Sequence, residues 1–127
     1  MQYDSSGNNL KLHSIAPKLP MRDPQNTKAY YVDQFQFKVL GDYGDYLLLG
    51  KDDIEIHFFL HPDLNPSLNY GQVYIRVSEI EKLYAALIQA KVTIHPNGEL
   101  GTRPWGQKEF SLLDPDSNLL TFGETTD

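Results

Sequence analysis

The order strand, helix and three strands occurs twice in this chain, and this repeat limits the possible folds more than any other feature. In the first copy, short apolar runs bounded by turn residues predict strands at residues 15–21, 36–40, 46–50 and 54–60. In the second copy, strands are predicted at residues 72–77, 92–95, 108–113 and 119–122, and a loop at residues 96–106 follows the second of them. The sequence therefore predicts a duplicated βαβββ unit.

A helix start signal follows the first strand of the first copy. Asp23 is a candidate N-cap, and Pro24 suits the first helical position because its fixed φ is already helical. The apolar side chains that then share one helical face are Tyr31, Val32 and Phe35. We expect this face to pack against the core.

The helix of the second copy is marked by Ser78 and Glu81, which have the S-x-x-E spacing of a capping box. In that motif each of the two side chains accepts a backbone hydrogen bond within the first turn. The apolar residues that follow at helical spacing are Ile80, Leu83, Tyr84, Leu87 and Ile88. This spacing predicts a single apolar stripe.

Length, charge and cysteine content restrict the class of protein. A chain of 127 residues is long enough for one domain with its own core. Its net charge of −6, without a basic stripe, argues against a nucleic-acid partner. No apolar run reaches the roughly 20 residues of a membrane-spanning helix, and the absence of cysteine favours a reducing compartment. We expect a soluble cytoplasmic protein with a flexible N-terminal tail at residues 1–12 and one domain at residues 13–127.

Trp105 is the single tryptophan of the chain, and it lies in a Pro-Trp-Gly loop directly before a predicted hairpin. Residues 114–118, Asp-Pro-Asp-Ser-Asn, form the turn of that hairpin because Asp and Asn bond their own backbone and Pro presets φ. A tryptophan in such a loop is a candidate platform for stacking a ligand. A tryptophan that covers an edge of the core is an equally acceptable alternative.

These features resemble the vicinal oxygen chelate superfamily, which includes glyoxalase I, extradiol dioxygenases and bleomycin resistance proteins. The likeness to bleomycin resistance proteins is carried by Lys-Leu-Pro at residues 18–20, by EIHFFLHPDLNP at residues 55–66, by Pro-Trp-Gly at residues 104–106 and by the DPDSN turn. The family turn usually has Gly at the position of Ser117, so backbone strain of about 1 kcal/mol is expected there.

The resemblance implies the α+β glyoxalase/bleomycin resistance/dioxygenase fold. In that fold two βαβββ modules form a concave eight-stranded mixed sheet. Module 1 then occupies about residues 13–66 and module 2 about residues 70–124. Both modules belong to the single domain.

Enzymes of this superfamily hold a divalent cation with His and Glu side chains, and the resemblance places those positions near Ala16, Gln72 and Thr121. None of these three residues is a good ligand for such a cation. Glu55 and His57 could supply two donors, whereas a catalytic site needs about three. We therefore expect no metal and no cofactor.

Strand alternation selects the residues that line the cleft, because the side chain at position 72 points inward in the resembled fold. Gln72, Tyr74 and Arg76 then face the cleft, and residues 73, 75 and 77 face the helices. Likewise Glu55, His57 and Phe59 face the cleft, with Ile54, Ile56 and Phe58 in the core. Aromatic faces with a few polar anchors suit a small-molecule pocket; a solvated sheet face with incidental aromatic residues is the alternative.

In bleomycin resistance proteins two chains form a homodimer whose grooves contain residues of both subunits, and a tryptophan loop borders the drug. The resemblance matches that loop to Trp105, flanked by Arg103, and places Tyr46 near the groove mouth. We therefore predict a non-catalytic protein that sequesters a bleomycin-type antibiotic or another planar cationic aromatic compound. The predicted ligand-binding residues are Trp105, Tyr46, His57, Phe59, Gln72, Tyr74, Arg76 and Arg103.

Two alternatives remain at this point. One is a metal-dependent lyase, isomerase or dioxygenase of the same superfamily, with unconventional ligands drawn from Glu55, His57, Glu109 and Glu124. The other is a housekeeping small-molecule binder whose ligand is unrelated to drugs, since one fold hosts many functions.

Overall fold

Both predicted modules are present in the computed structural model, which describes residues 9–126. Module 1 consists of β1 (Lys18–Met21), α1 (Pro24–Lys28) continuing as a π-helical segment (Ala29–Gln34), β2 (Lys38–Asp42), β3 (Tyr46–Lys51) and β4 (Ile54–Leu60). A short 3₁₀ helix (Pro66–Leu68) precedes module 2, which consists of β5 (Gln72–Arg76), α2 (Ile80–Gln89), β6 (Gly101–Arg103), β7 (Gln107–Leu113) and β8 (Leu119–Thr125). Residues 1–8 of the predicted tail lie outside the described residues.

The strands form two four-stranded sheets, one in each module. Sheet 1 has the order β1-β4-β3-β2 and sheet 2 has the order β5-β8-β7-β6. In both sheets the first strand of the module runs parallel to its neighbour and the remaining pairs are antiparallel. The predicted α+β class and the repeated βαβββ order are confirmed, with the eight strands divided equally between two mixed sheets.

The prediction for the second strand of module 2 is wrong. Residues 92–95 contribute only an isolated bridge between Ile94 and Leu112. Val92 instead closes the end of α2, because its amide donates to the carbonyl of Leu87 at 2.9 Å and its side chain is buried. The second strand of module 2 is instead β6, which pairs with β7 and lies inside the predicted loop.

The first strand and the first helix differ in how closely they follow prediction. The strand begins at Lys18, and Ile15, predicted to start it, is 96% exposed. The helix cap is confirmed, since a carboxylate oxygen of Asp23 accepts from the amide of Gln25 at 2.9 Å. Tyr31, on the predicted apolar face, is fully buried.

The capping box predicted for α2 is absent, and a distant residue caps this helix. The N-cap residue is Glu79, with φ of 57° and no capping bond from its own side chain. The carboxylate of Glu124 on β8 accepts from the amides of Glu79 and Ile80 at 2.9 and 3.1 Å. Glu81 forms an ion pair with Lys108 and is therefore not available as the predicted capping partner.

The predicted apolar stripe of α2 is confirmed for Ile80 and Leu87, which are buried, whereas Ile88 is half exposed. The core is continuous between the modules, since the rings of Phe35 and Phe122 stack with their centroids 5.6 Å apart. Within residues 9–126, no helix combines the length and the apolar character needed to cross a membrane.

The DPDSN turn of module 2 docks onto module 1. Asp114 accepts from the amides of Asp116 and Asn118 at 2.9 Å, which closes the turn. The side-chain amide of Asn118 donates to the carbonyl of Pro20 at 3.0 Å across the module boundary. Ser117 has a φ of 66°, the left-handed conformation expected from the missing glycine.

Candidate ligand-binding site

The open face of sheet 2 is built by strand alternation, as predicted. On β5, Gln72, Tyr74 and Arg76 are exposed, whereas Val73 and Ile75 pack towards the core. Gly123, on the neighbouring strand β8, has no side chain, and a Cβ atom there would overlap the phenol of Tyr74. The glycine therefore lets the Tyr74 ring lie across β8 and reach β7.

Glu109 on β7 joins the two large aromatic side chains of this face. Its Oε2 accepts a 2.6 Å hydrogen bond from the Tyr74 hydroxyl and a 2.9 Å bond from the indole Nε1 of Trp105. Glu109 is 7% exposed, whereas Tyr74 is 45% and Trp105 is 64% exposed. The carboxylate thus lies beneath two partly exposed rings, and the high exposure of Trp105 favours a stacking platform over a core cover.

The polar residues around this pair are also hydrogen-bonded. Arg76 donates from Nη1 to Oε1 of Gln107 at 3.3 Å, and its guanidinium lies 5.5 Å from the centre of the Tyr74 ring. Desolvation and the hydrogen bond to Glu109 raise the pKa of Tyr74 above 10.0, so its hydroxyl remains a donor at neutral pH. The side chains of β5 and β7 therefore form one connected surface.

The open face of sheet 1 contains a hydrogen-bonded chain of three side chains. His57 Nε2 lies 2.6 Å from Oε2 of Glu55, and His57 Nδ1 lies 2.8 Å from the hydroxyl of Tyr46. Because a carboxylate can only accept, Nε2 donates to it, and the Tyr46 hydroxyl, which can donate or accept, bonds to Nδ1. Phe59 lies opposite Tyr46 in the strand register and is 37% exposed. This chain holds Tyr46 beside an open aromatic ring.

The core prediction for β4 is partly wrong. Ile56 and Phe58 are buried as predicted, whereas Ile54 is 37% exposed. Ile54 is the first residue of β4, directly after the turn from β3. At the end of a hairpin its outer side has no neighbouring strand to cover it.

A groove of about 390 Å³ lies where β4 and β5 approach each other. Its lining residues include Ile54, Glu55, Ile56, Tyr74 and Arg76. The groove brings Glu55 of sheet 1 together with Tyr74 and Arg76 of sheet 2, whereas Trp105, Tyr46 and Phe59 do not line it. Arg103, the last residue of β6 beside the tryptophan loop, donates from Nη2 to the carbonyl of Glu99 at 3.1 Å.

The residues present do not fit the divalent-metal site of the related enzymes. Thr121 and Gln72 lie on adjacent strands but offer no carboxylate or imidazole. The donors considered for a metal enzyme are dispersed, since Glu124 caps α2 and Glu109 holds the aromatic pair. Among residues 9–126, no three His, Cys, Asp or Glu side chains form a group that could hold a metal ion.

The sequence predicts Glu109 only as a ligand in the alternative metal enzyme, and its contacts with Tyr74 and Trp105 are a finding of the structure. The signal was available in the alternation of β7, where Gln107, Glu109 and Ser111 share one face and an acidic residue occupies its centre. What alternation could not supply is the pair of donors from β5 and from the tryptophan loop.

Known proteins resemble this chain over most of its length. A bleomycin resistance protein of Klebsiella pneumoniae is 27% identical over 111 residues, covering 82% of this chain and 86% of that protein. A bleomycin resistance protein of Geobacillus stearothermophilus is 25% identical over 127 residues, covering 87% and 95%. A bleomycin-binding protein solved in complex with bleomycin has the same fold, with a TM-score of 0.81, 24% identity and coverage of 90% and 99%.

The family assignment rests on a separate match, to a sequence profile. The sequence profile of the Glyoxalase/Bleomycin resistance protein/Dioxygenase superfamily matches residues 11–122, which include every strand and helix of both modules except the last residues of β8. This agrees with the repeated βαβββ order and with the family resemblance of the sequence motifs. The chain belongs to the Glyoxalase/Bleomycin resistance protein/Dioxygenase superfamily.

Proposed function

We propose that this protein binds a planar aromatic antibiotic of the bleomycin type and withholds it without chemical change. The observation that carries the proposal is the pair of exposed rings, Trp105 and Tyr74, held by hydrogen bonds to Glu109. Rings fixed in this way lose little rotamer entropy when a flat ligand stacks on them. The proposal is supported by relatives named bleomycin resistance protein and by a structural neighbour that was solved with bleomycin.

We propose further that two copies of the chain form each groove. Support comes from the separation of the two aromatic groups, since Tyr46 and Phe59 lie on sheet 1 and Trp105 and Tyr74 lie on sheet 2. The groove between β4 and β5 of one chain does not include Trp105. A second copy that placed its sheet 1 opposite sheet 2 of the first would enclose a flat ligand on both sides. The residues proposed to contact it are Trp105, Tyr46, His57, Phe59, Gln72, Tyr74, Arg76 and Arg103.

The two modules act as one domain, residues 13–127, in this proposal. Polar contacts across the module boundary support it, among them the ion pair between Arg22 and Asp116 at 2.7 Å. The proposal places the protein in the cytoplasm, which is consistent with a chain that has no cysteine. We propose no catalytic activity, because the side chains on the two open faces do not fit the divalent-metal site of the related enzymes.

Titration with bleomycin, followed by tryptophan fluorescence, tests the proposal. The fluorescence has a single source, because Trp105 is the only tryptophan. We expect saturable quenching with an end point of one drug per chain, and recovery of the drug with unchanged mass after the protein is denatured. Absence of quenching and of any bound drug after gel filtration contradicts the proposal, and recovery of a modified drug contradicts its non-catalytic part.

A further inference from the structure

We infer that Glu109 is the counter-charge for a cationic group of the ligand, which binds between the rings of Tyr74 and Trp105. The inference rests on the proposed ligand-binding function and names the residue that gives that site its charge specificity. It would make Glu109 a direct contact of the ligand as well as a support for the rings.

The first observation is a buried carboxylate without a positive partner. Glu109 is 7% exposed. Both of its hydrogen bonds are accepted by Oε2, and Oε1 has no hydrogen-bond partner among residues 9–126. None of the ion pairs in that part of the chain includes Glu109. A largely buried carboxylate is stabilised by donors or by a positive charge, and here both donors are neutral side chains that bond to Oε2.

The second observation is that no basic side chain among the described residues pairs with Glu109, although the Arg76 guanidinium lies on the same face, 5.5 Å from the centre of the Tyr74 ring. Arg76 donates to Gln107, and Arg103 donates to the carbonyl of Glu99. Lys108, the neighbour of Glu109 in sequence, points to the opposite side of β7 and pairs with Glu81. The negative charge of Glu109 is therefore left for a group that comes from outside the chain.

The third observation is the chemistry of the two rings. Tyr74 and Trp105 turn their donor atoms towards Glu109; Trp105 is 64% exposed, and Tyr74 is 45% exposed with the Arg76 guanidinium 5.5 Å from its ring centre. Aromatic faces attract cations, tryptophan most strongly, and the attraction grows when the cation is partly desolvated. A carboxylate oxygen at the base of two such faces selects a cation that is planar or joined to a planar ring. An anionic or neutral ring would be stabilised only by stacking and not by the charge of Glu109.

The alternative role for Glu109 is purely structural, as an acceptor that orients two donors. Glu109→Gln separates the two roles, because the amide oxygen still accepts from Tyr74 and Trp105 while the charge is removed. Glu79→Gln is the matched control. It makes the same change of net charge at an exposed side chain, that of the N-cap residue of α2, which pairs only with Lys82 within the described residues.

The experiment measures the affinity of wild type and both variants for N-methylquinolinium, a planar cation, and for N-methyl-2-quinolone, a neutral planar analogue. Trp105 fluorescence reports binding, and the ionic strength is held constant. Wild type should prefer the cation by about tenfold or more, as a charge-assisted contact provides. Glu109→Gln should abolish that preference and change the affinity for the neutral compound by less than about twofold. Glu79→Gln should change both affinities by less than about twofold.

Two results overturn the inference. One is equal affinity of the wild-type protein for the two compounds. This measurement does not need the variant and is therefore decisive even if Glu109→Gln fails to fold. The other is a variant that loses both affinities equally, as expected if Glu109 only orients the rings. Bleomycin is titrated in parallel. If wild type and Glu109→Gln bind bleomycin equally, the proposed function is supported and the inference is contradicted. If wild type prefers the cation but does not bind bleomycin, the inference is supported and the proposed function is contradicted.

Discussion

Tyr31 donates a 2.7 Å hydrogen bond from its buried phenol to Oδ2 of Asp114, which lies 83 residues later in the other module. Desolvation, together with the nearby Asp114 carboxylate, raises the pKa of Tyr31 well above 10.0, so the phenol stays protonated and continues to donate. The contact ties the helix of module 1 to the last turn of module 2. Stability of the domain therefore depends on a polar link as well as on the shared aromatic core.

Tyr31→Phe should lower the free energy of unfolding by about 1–3 kcal/mol, because buried Asp114 then loses a donor. Tyr30→Phe is the matched control at the adjacent position. The Tyr30 hydroxyl is buried and has no partner among residues 9–126. Its removal should be neutral or stabilising. Urea denaturation at pH 7 measures both variants, and equal losses would contradict a specific role for the link between the modules.

Ser117→Gly should raise the free energy of unfolding by about 0.5–1 kcal/mol. Ser117 has a left-handed φ of 66°, which glycine adopts without the steric cost of a Cβ atom. The larger entropy of glycine in the unfolded chain offsets part of that gain. Ser117→Ala keeps the Cβ atom and serves as the control, with no stabilisation expected. Thermal unfolding followed by circular dichroism compares the two, and a gain in the alanine variant would refute the explanation.

Glu124→Gln should destabilise the protein at neutral pH and not at acid pH. Hydrogen bonds from the amides of Ile80 and Glu79 lower the pKa of Glu124 below its ordinary value of 4.5. A lowered folded-state pKa means that the charged cap stabilises the fold above pH 4.5 and loses this effect as pH falls through the folded-state value. Denaturation of both proteins between pH 7 and pH 3 measures the difference, which should shrink below pH 4.5. A constant difference across that range would mean that charge is not the cause.

Trp105→Ala should weaken the binding of bleomycin by about 1–3 kcal/mol, as for a central aromatic anchor. Tyr43→Ala is the matched control, because Tyr43 is 71% exposed in the turn between β2 and β3 and is not a proposed contact, and its bond to Tyr46 is made by backbone atoms that the substitution leaves in place. Isothermal titration calorimetry measures both variants without relying on tryptophan fluorescence. Equal affinities of Trp105→Ala and Tyr43→Ala would remove Trp105 from the site.

Local sequence signals were sufficient for much of the fold. The strand at residues 54–60 and the DPDSN turn have the boundaries that turn residues predicted, because strand ends and turns depend on neighbours in sequence. Asp23 caps its helix for the same reason. The modules and their order followed from the repetition of such local signals.

The features that sequence missed depend on residues far apart in the chain. The cap of α2 comes from Glu124, 45 residues after Glu79, so the local S-x-x-E pattern was misleading. Strand β6 has no apolar run of its own and exists because it pairs with β7. Glu109 had the correct strand parity, but its role depends on donors brought from Tyr74 and from the tryptophan loop.

Protection of DNA against cleavage by bleomycin tests the central claim most directly. The protein is titrated into a fixed concentration of activated drug and plasmid, and intact plasmid is measured after a set time. Stoichiometric sequestration predicts that cleavage falls linearly and ends at one chain per drug molecule, whatever the time of preincubation. Complete protection by far less than one equivalent, increasing with preincubation, would indicate turnover, and no protection at excess protein would mean that the drug is not bound.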